Sequence, residues 1–285
     1  MRFVLSTPIV VSPGGFAPWE STAGIEELSQ IAVAGDRLGY LCLTCSEHVA
    51  VPPSAEGGRG LTFWDPLALF GFLAARTKRI RFETNVLVLG YHHPLAIAKR
   101  YGTLDVVSGG RLILGLGVGT LKEEFDLLDA PFDDRGARAD DSIRALRAAL
   151  SQSHPVYEGK YYNFSDLVVL PHAVQPKVPI WIGGTSKRSL RRAVELGDAW
   201  APVFIQLPQI QEMLASFDLP PGFDVVLQSR ALDPLGDREG ARAEIETLAK
   251  AGATIGSLKL KHTSLAHFLE QIEAFAELDG FTAAE

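Results

Sequence analysis

Cysteine is scarce in this chain of 285 residues: only Cys42 and Cys45 occur, spaced as C-x-x-C. A redox pair of that spacing needs its first cysteine near a helix start, and a zinc site needs a second pair or suitably spaced histidines. Here the two sit inside an apparent strand, L-C-L-T-C, which predicts small buried side chains instead. A run of lysine and arginine is also missing, and the formal net charge is −7. That balance argues against a nucleic-acid partner. No long uncharged apolar stretch and no N-terminal targeting pattern is present, so the expectation is a soluble cytoplasmic protein with no membrane partner. No internal repeat or low-complexity segment interrupts the sequence.

What is present is a large apolar complement, 47% hydrophobic against 21% charged. That is enough for one extensive core. Read in order, strand patterns fall at residues 2–10, 41–44, 80–89, 111–116, 179–184, 199–203, 224–228 and 254–260. Helical patterns stand between them. Ile25, Leu28, Ile31 and Leu38 keep helical spacing before Gly39; Asp65-Pro66 and His93-Pro94 each open a helix; Ile143, Leu146 and Leu150 mark a longer one. Residues 241–251 and 265–278 read as the last two. Eight strands alternating with helices predict an α/β fold, a (β/α)8 TIM barrel, formed by residues 1–285 as a single domain. The proline-punctuated stretch 155–179 reads as a small inserted arm or hairpin, because Val156, Tyr157, Tyr161, Tyr162 and Phe164 need burial.

The chain is organised around residues 104–120, L-D-V-V-S-G-G-R-L-I-L-G-L-G-V-G-T. Gly109-Gly110 suits a helix stop in the left-handed conformation, and Leu112-Ile113-Leu114 suits a strand buried on both faces. Gly115, Gly117 and Gly119 then strip side chains from the strand's C-terminal end, so that backbone N–H groups can approach a ligand. This is not a dinucleotide fingerprint: the place of the third glycine holds Thr120, and several strands precede it. A metallohydrolase barrel would want His-x-His after its first strand, where Ser6, Thr7 and Pro8 stand instead, so no metal is expected.

In such a barrel the chemistry collects at the strands' C-terminal ends. Glu47 and His48 follow strand two, which points to a functional imidazole rather than a satisfied core histidine. His92 and His93 read as residues that open a helix, since neighbours in sequence point apart. Of Glu123 and Glu124, at least one reads as a solvated first-turn acid. Gly183, Gly184, Thr185 and Ser186 combine bare backbone, two hydroxyls and a helix N-terminus, beside Lys187 and Arg188, as an anion site.

These motifs resemble the bacterial-luciferase-like superfamily, specifically its F420-dependent class. The resemblance rests on S-E-H after strand two, T-N-V in strand three, the block from H-P-L-A-I-A-K-R-Y-G to G-L-G-V-G, and K-E-E-F. Y-E-G-K-Y-Y-N-F and P-I-W-I-G-G-T-S extend it. It implies F420, with FMN as the alternative, lying across the strand ends and exchanging hydride with a small organic substrate. It also implies a cis peptide at Asn85–Val86 behind the cofactor ring, and a phosphate region at Gly117, Gly119, Thr120, Gly183 and Gly184. Glu47 and His48 match an acid-histidine pair near the ring, and a homodimer is the family expectation. Ala199 replaces a glycine of the family's G-D-G-W pattern, and the cations that grip sugar phosphates have no clear match. An FMN-dependent monooxygenase and a cofactor carrier without turnover remain the alternative readings.

Overall fold

The computed structural model describes residues 1–12, 17–53, 60 and 62–284. Eight parallel strands close on themselves among them: β1 (Arg2–Leu5), β3 (Cys42–Cys45), β5 (Arg81–Thr84), β7 (Leu112–Gly117), β10 (Ile180–Gly183), β11 (Ala199–Ala201), β12 (Asp224–Leu232) and β13 (Ile255–Leu260). The pairing of β7 with β10 and of β13 with β1 completes the ring. This is the expected (β/α)8 barrel. Its interior is filled by Val4, Cys42, Ile113, Trp181, Ala199, Val226 and Ile255. A second, larger layer of apolar side chains lies between strands and helices, where Phe82 meets Phe70.

Helix ends follow the local chemistry. Gly39 and Gly109 end helices α1 (Ile25–Leu38) and α3 (Pro94–Ser108) at φ 84° and 70°, a conformation that glycine takes without a Cβ clash. Asp65 Oδ1 accepts from Ala68 N at 2.8 Å and starts α2 (Pro66–Ala74). Both cysteines are free and fully buried, and burial pushes both thiols up. No described helix is long and apolar enough to cross a membrane.

Three expectations change. The first strand stops at Leu5 rather than residue 10, and Ile9 then turns the chain at φ 75°. Val11–Ser12 (β2) then pairs antiparallel with Thr62–Phe63 (β4) outside the barrel. The third strand is broken: β5 ends at Thr84, and Leu87–Val88 (β6) resumes against β7 after a cis bond between Asn85 and Val86. The arm does contain a hairpin, Tyr157–Glu158 (β8) against Asn163–Phe164 (β9), but Val156 is 68% exposed. Polar contacts hold the arm instead. Asp141 of α5 (Arg135–Ala149) accepts from Tyr157 Oη at 2.6 Å and from Tyr161 N at 2.7 Å. Buried Asp105 accepts from Val174 N at 2.9 Å and Gln175 Nε2 at 2.7 Å.

Candidate active site

Parallel strands bring their carboxyl ends to one face, and the loops leaving that face carry the candidate residues. Ser46, Glu47 and His48 leave β3 together, yet each side chain ties to a different segment. Ser46 Oγ donates to Asn85 O at 2.7 Å. Glu47 Oε2 accepts from Val88 N at 2.7 Å, and its Oε1 meets His92 Nε2 at 2.6 Å. His48 Nδ1 lies 2.7 Å from Glu124 Oε2. Consecutive side chains in an extended segment point to opposite sides. Glu47 and His48 are therefore each tied to a partner from another loop, His92 and Glu124, rather than to one another.

Glu124, on the short helix α4 (Lys122–Leu127), is the hub. Its Oε2 also accepts from Tyr91 Oη at 2.7 Å, and its Oε1 accepts from Val49 N and Ala50 N. Burial by itself raises the Glu124 pKa, but hydrogen bonds from Tyr91, His48, Ala50 and Val49 outweigh it and hold the carboxyl below its ordinary value. An ionised Glu124 accepts, so His48 Nδ1 carries the proton and donates. The Nε2 of His48 has no hydrogen bond among the described residues. Phe63 packs on the imidazole at 4.4 Å between ring centroids and fixes its plane.

Sequence reading undervalued Glu124 and His92. Glu123 is the exposed member of the acidic pair and Glu124 the buried one. The signal was legible: Glu124 follows buried Leu121 by three residues and precedes buried Phe125, so it shares their helix face. His93 does open a helix, its Nδ1 accepting from Leu95 N at 3.2 Å, while His92 turns to Glu47.

Asn85, Val86, Gly117 and Gly183 converge. A Cβ on Gly117 would collide with Val86 Cγ2, and one on Gly183 would lie 2.9 Å from Val86 Cγ1. Both glycines thus make room for a wedge-shaped valine at the strand ends. Gly119, at φ 77°, likewise clears Phe125 and Val88. The glycine exit therefore accommodates the protein's own side chains Val86, Val88 and Phe125. Gly117→Ala is expected to displace Val86 with little change in unfolding temperature. Cofactor affinity should fall tenfold or more, about 1.4 kcal/mol, in a titration beside the wild type; equal affinity would show that Val86 does not touch the cofactor.

At the exit of β10, Gly184 adopts φ 114° and Ser186 caps α6 (Lys187–Leu196), its Oγ accepting from Ser189 N at 3.2 Å. Ser189 Oγ receives Ser186 N at 3.1 Å in return. The Ser186 hydroxyl and amide are thus engaged by the helix, which leaves the N–H groups of Lys187 and Arg188 as open donors. Thr185, Ser186, Lys187 and Arg188 are exposed, and no ion pair holds either cation among the described residues. Thr120 is exposed at the end of the glycine segment. A separate small cavity is lined by Glu83, Asn85, Trp181, Gln228 and Ser257 among others.

The sequence and the fold are similar to those of known proteins. The model of a family described as luciferase-like monooxygenase matches residues 1–232. An uncharacterised protein of Mycobacterium tuberculosis is 31% identical over 182 residues, 60% of this chain and 62% of the relative. An F420-dependent glucose-6-phosphate dehydrogenase of Microbacterium testaceum is 28% identical over 209 residues, 72% of this chain and 61% of that protein. The matches to these curated relatives therefore span less than two thirds of each relative's length. Among solved structures, the monooxygenase RslO1 from Streptomyces bottropensis superimposes with a TM-score of 0.75 at 22% identity, covering 97% of this chain and 98% of that one. A likeness at that identity speaks for the fold.

Proposed function

The chain belongs to the luciferase-like monooxygenase family, and from that premise we propose that it is an oxidoreductase moving hydride between F420 and a small, largely apolar organic substrate. The observation that carries this reading is the strand-end constellation: an apolar wedge, Val86, seated between Gly117 and Gly183, beside a helix start with open N–H groups and two unpaired cations. An apolar platform suits a flat ring system, and the helix start with Lys187 and Arg188 suits a phosphate. The residues present fit a phosphorylated deazaflavin or flavin. A likeness to an F420-dependent dehydrogenase supports the deazaflavin.

When bound, F420 would supply the hydride. The chain's own part is to hold that group and exclude water, while His48, oriented through Nδ1 by Glu124, presents Nε2 as a proton-carrying or orienting group. FMN-dependent monooxygenation is the second reading, favoured by the family description. A carrier without turnover on the same barrel is the non-enzymatic one. The protein is read as cytoplasmic and homodimeric, with a small molecule as its partner.

Parallel titrations of the purified protein with F420 and with FMN, followed by fluorescence quenching, test the cofactor. At least tenfold tighter binding of F420 is expected, about 1.4 kcal/mol. A preference for FMN transfers the protein to the monooxygenase branch. Binding of neither removes the enzyme reading.

A further inference from the structure

Glu83 is a carboxyl group in a place where a core would ordinarily hold an apolar side chain. It sits on β5 in register with Thr44 of β3 and Ile113 of β7. Its neighbour Phe82 packs outward against Phe70, so alternation along the strand sends Glu83 inward. The residue is 2% exposed, and its side chain lines the small cavity together with Val4, Trp181 and Val226 of the barrel interior. No hydrogen bond or ion pair holds its carboxyl among the described residues. On the neighbouring strand β7, a Cβ on Gly115 would collide first with Thr84 O and then with Glu83 Oε1, so glycine there admits both the β5 backbone and this carboxyl.

The geometry points to Glu83 as the residue that selects the substrate: its carboxyl forms the floor of the strand-end mouth and hydrogen-bonds an uncharged, oxygen-bearing molecule, an alcohol or a carbonyl compound. This rests on the oxidoreductase reading above and names the substrate class of that same site. Burying a carboxyl without a partner costs free energy unless the group becomes neutral or acquires a hydrogen bond. Burial raises the Glu83 pKa well above that of an ordinary glutamate. The ionisable groups around it do not reverse this. Cys42 and Cys45 on β3 are thiols kept protonated by burial. Arg81, on the same strand, turns its guanidinium to Leu112 O at 3.0 Å and Gln175 Oε1 at 2.8 Å. Asn85, Trp181, Gln228 and Ser257, which share the cavity, are neutral. A protonated carboxyl has one donor and a free acceptor, and so matches either a carbonyl oxygen or a hydroxyl. It accepts a carboxylate or phosphate poorly, because the low-dielectric floor offers no countercharge.

Infrared spectroscopy of the purified protein without cofactor tests this directly. The wild type should show a protonated-carboxyl C=O band at about pH 7, far above the ~4.3 of a free glutamate, and Glu83→Gln should lack it. Addition of 2-butanone should shift that band to lower frequency, and butanoate should leave it unmoved. An absent band means an ionised Glu83 and overturns the proposal, as does a band that 2-butanone does not move. Glu83→Leu gives an independent reading: relief of the buried carboxyl should raise the unfolding temperature by about 2–4 °C. A fall of that size would make Glu83 a structural residue and overturn its role in selection. Because the infrared arms contain no cofactor, failure of the F420 and FMN titrations overturns the oxidoreductase reading separately, while the band shift still decides whether Glu83 receives an uncharged ligand.

Discussion

Glu124→Ala should unfold more easily than the wild type by about 2–3 kcal/mol, the cost of leaving hydrogen-bond donors without their acceptor. The carboxylate is fully buried and accepts from Tyr91 Oη, His48 Nδ1, Val49 N and Ala50 N. Removing it leaves these donors without their shared acceptor, a loss that water reaching the exposed Val49 and Ala50 partly offsets. Glu124→Gln keeps the shape but loses the charge, so its deficit should be smaller. The pH dependence has a fixed sign. The folded Glu124 pKa lies below its unfolded one. Its ionisation therefore stabilises the fold above the unfolded pKa of about 4.3. That contribution disappears as pH falls through the depressed folded value. Urea unfolding of the wild type and Glu124→Gln should accordingly show a gap that is full at neutral pH and closes in acid. A wild type and Glu124→Ala within about 1 kcal/mol of each other would mean that the hub does not hold the loop.

His48→Ala should have the larger effect on chemistry. A positioned imidazole contributes about 10²–10⁴-fold to a proton transfer, so hydride transfer from bound F420 to substrate should slow by that factor. Cofactor affinity should stay within about threefold, roughly 0.6 kcal/mol, because the Val86 wedge and the α6 start are untouched. Stopped-flow oxidation of the reduced deazaflavin, with a parallel binding titration, separates the two quantities. Unchanged transfer with unchanged binding favours the carrier reading; lost binding with unchanged transfer per bound cofactor makes His48 part of the cofactor seat. Glu124→Gln should fall between wild type and His48→Ala in transfer rate, since it weakens the orientation of the ring without removing the ring.

Much of the fold was legible because its signals are local. Alternating apolar strands, the Asp65-Pro66 helix start and the Gly109 stop all depend on residues a few positions apart. The break in the third strand did not show in the apolar pattern of residues 80–89. It came from the family motif T-N-V, since neither Asn85 nor Val86 interrupts that pattern. Val156 was misplaced because an apolar side chain carries no address; the arm is fastened through Asp105 and Asp141 instead.

The site divides along the same line. Sequence alone determined that the chain is a (β/α)8 barrel and that Glu47, His48, Gly117 and Gly183 stand at strand ends, because strand period and glycine placement are short-range properties. Which acid meets which imidazole was decided only by tertiary structure. Glu47 reaches His92 forty-five residues on, and His48 reaches Glu124 seventy-six residues on. Neighbours on an extended chain point apart, so adjacency in sequence could not reveal either pairing. The same holds for Glu83 and Gly115, thirty-two positions apart, whose fit exists only where β5 lies beside β7.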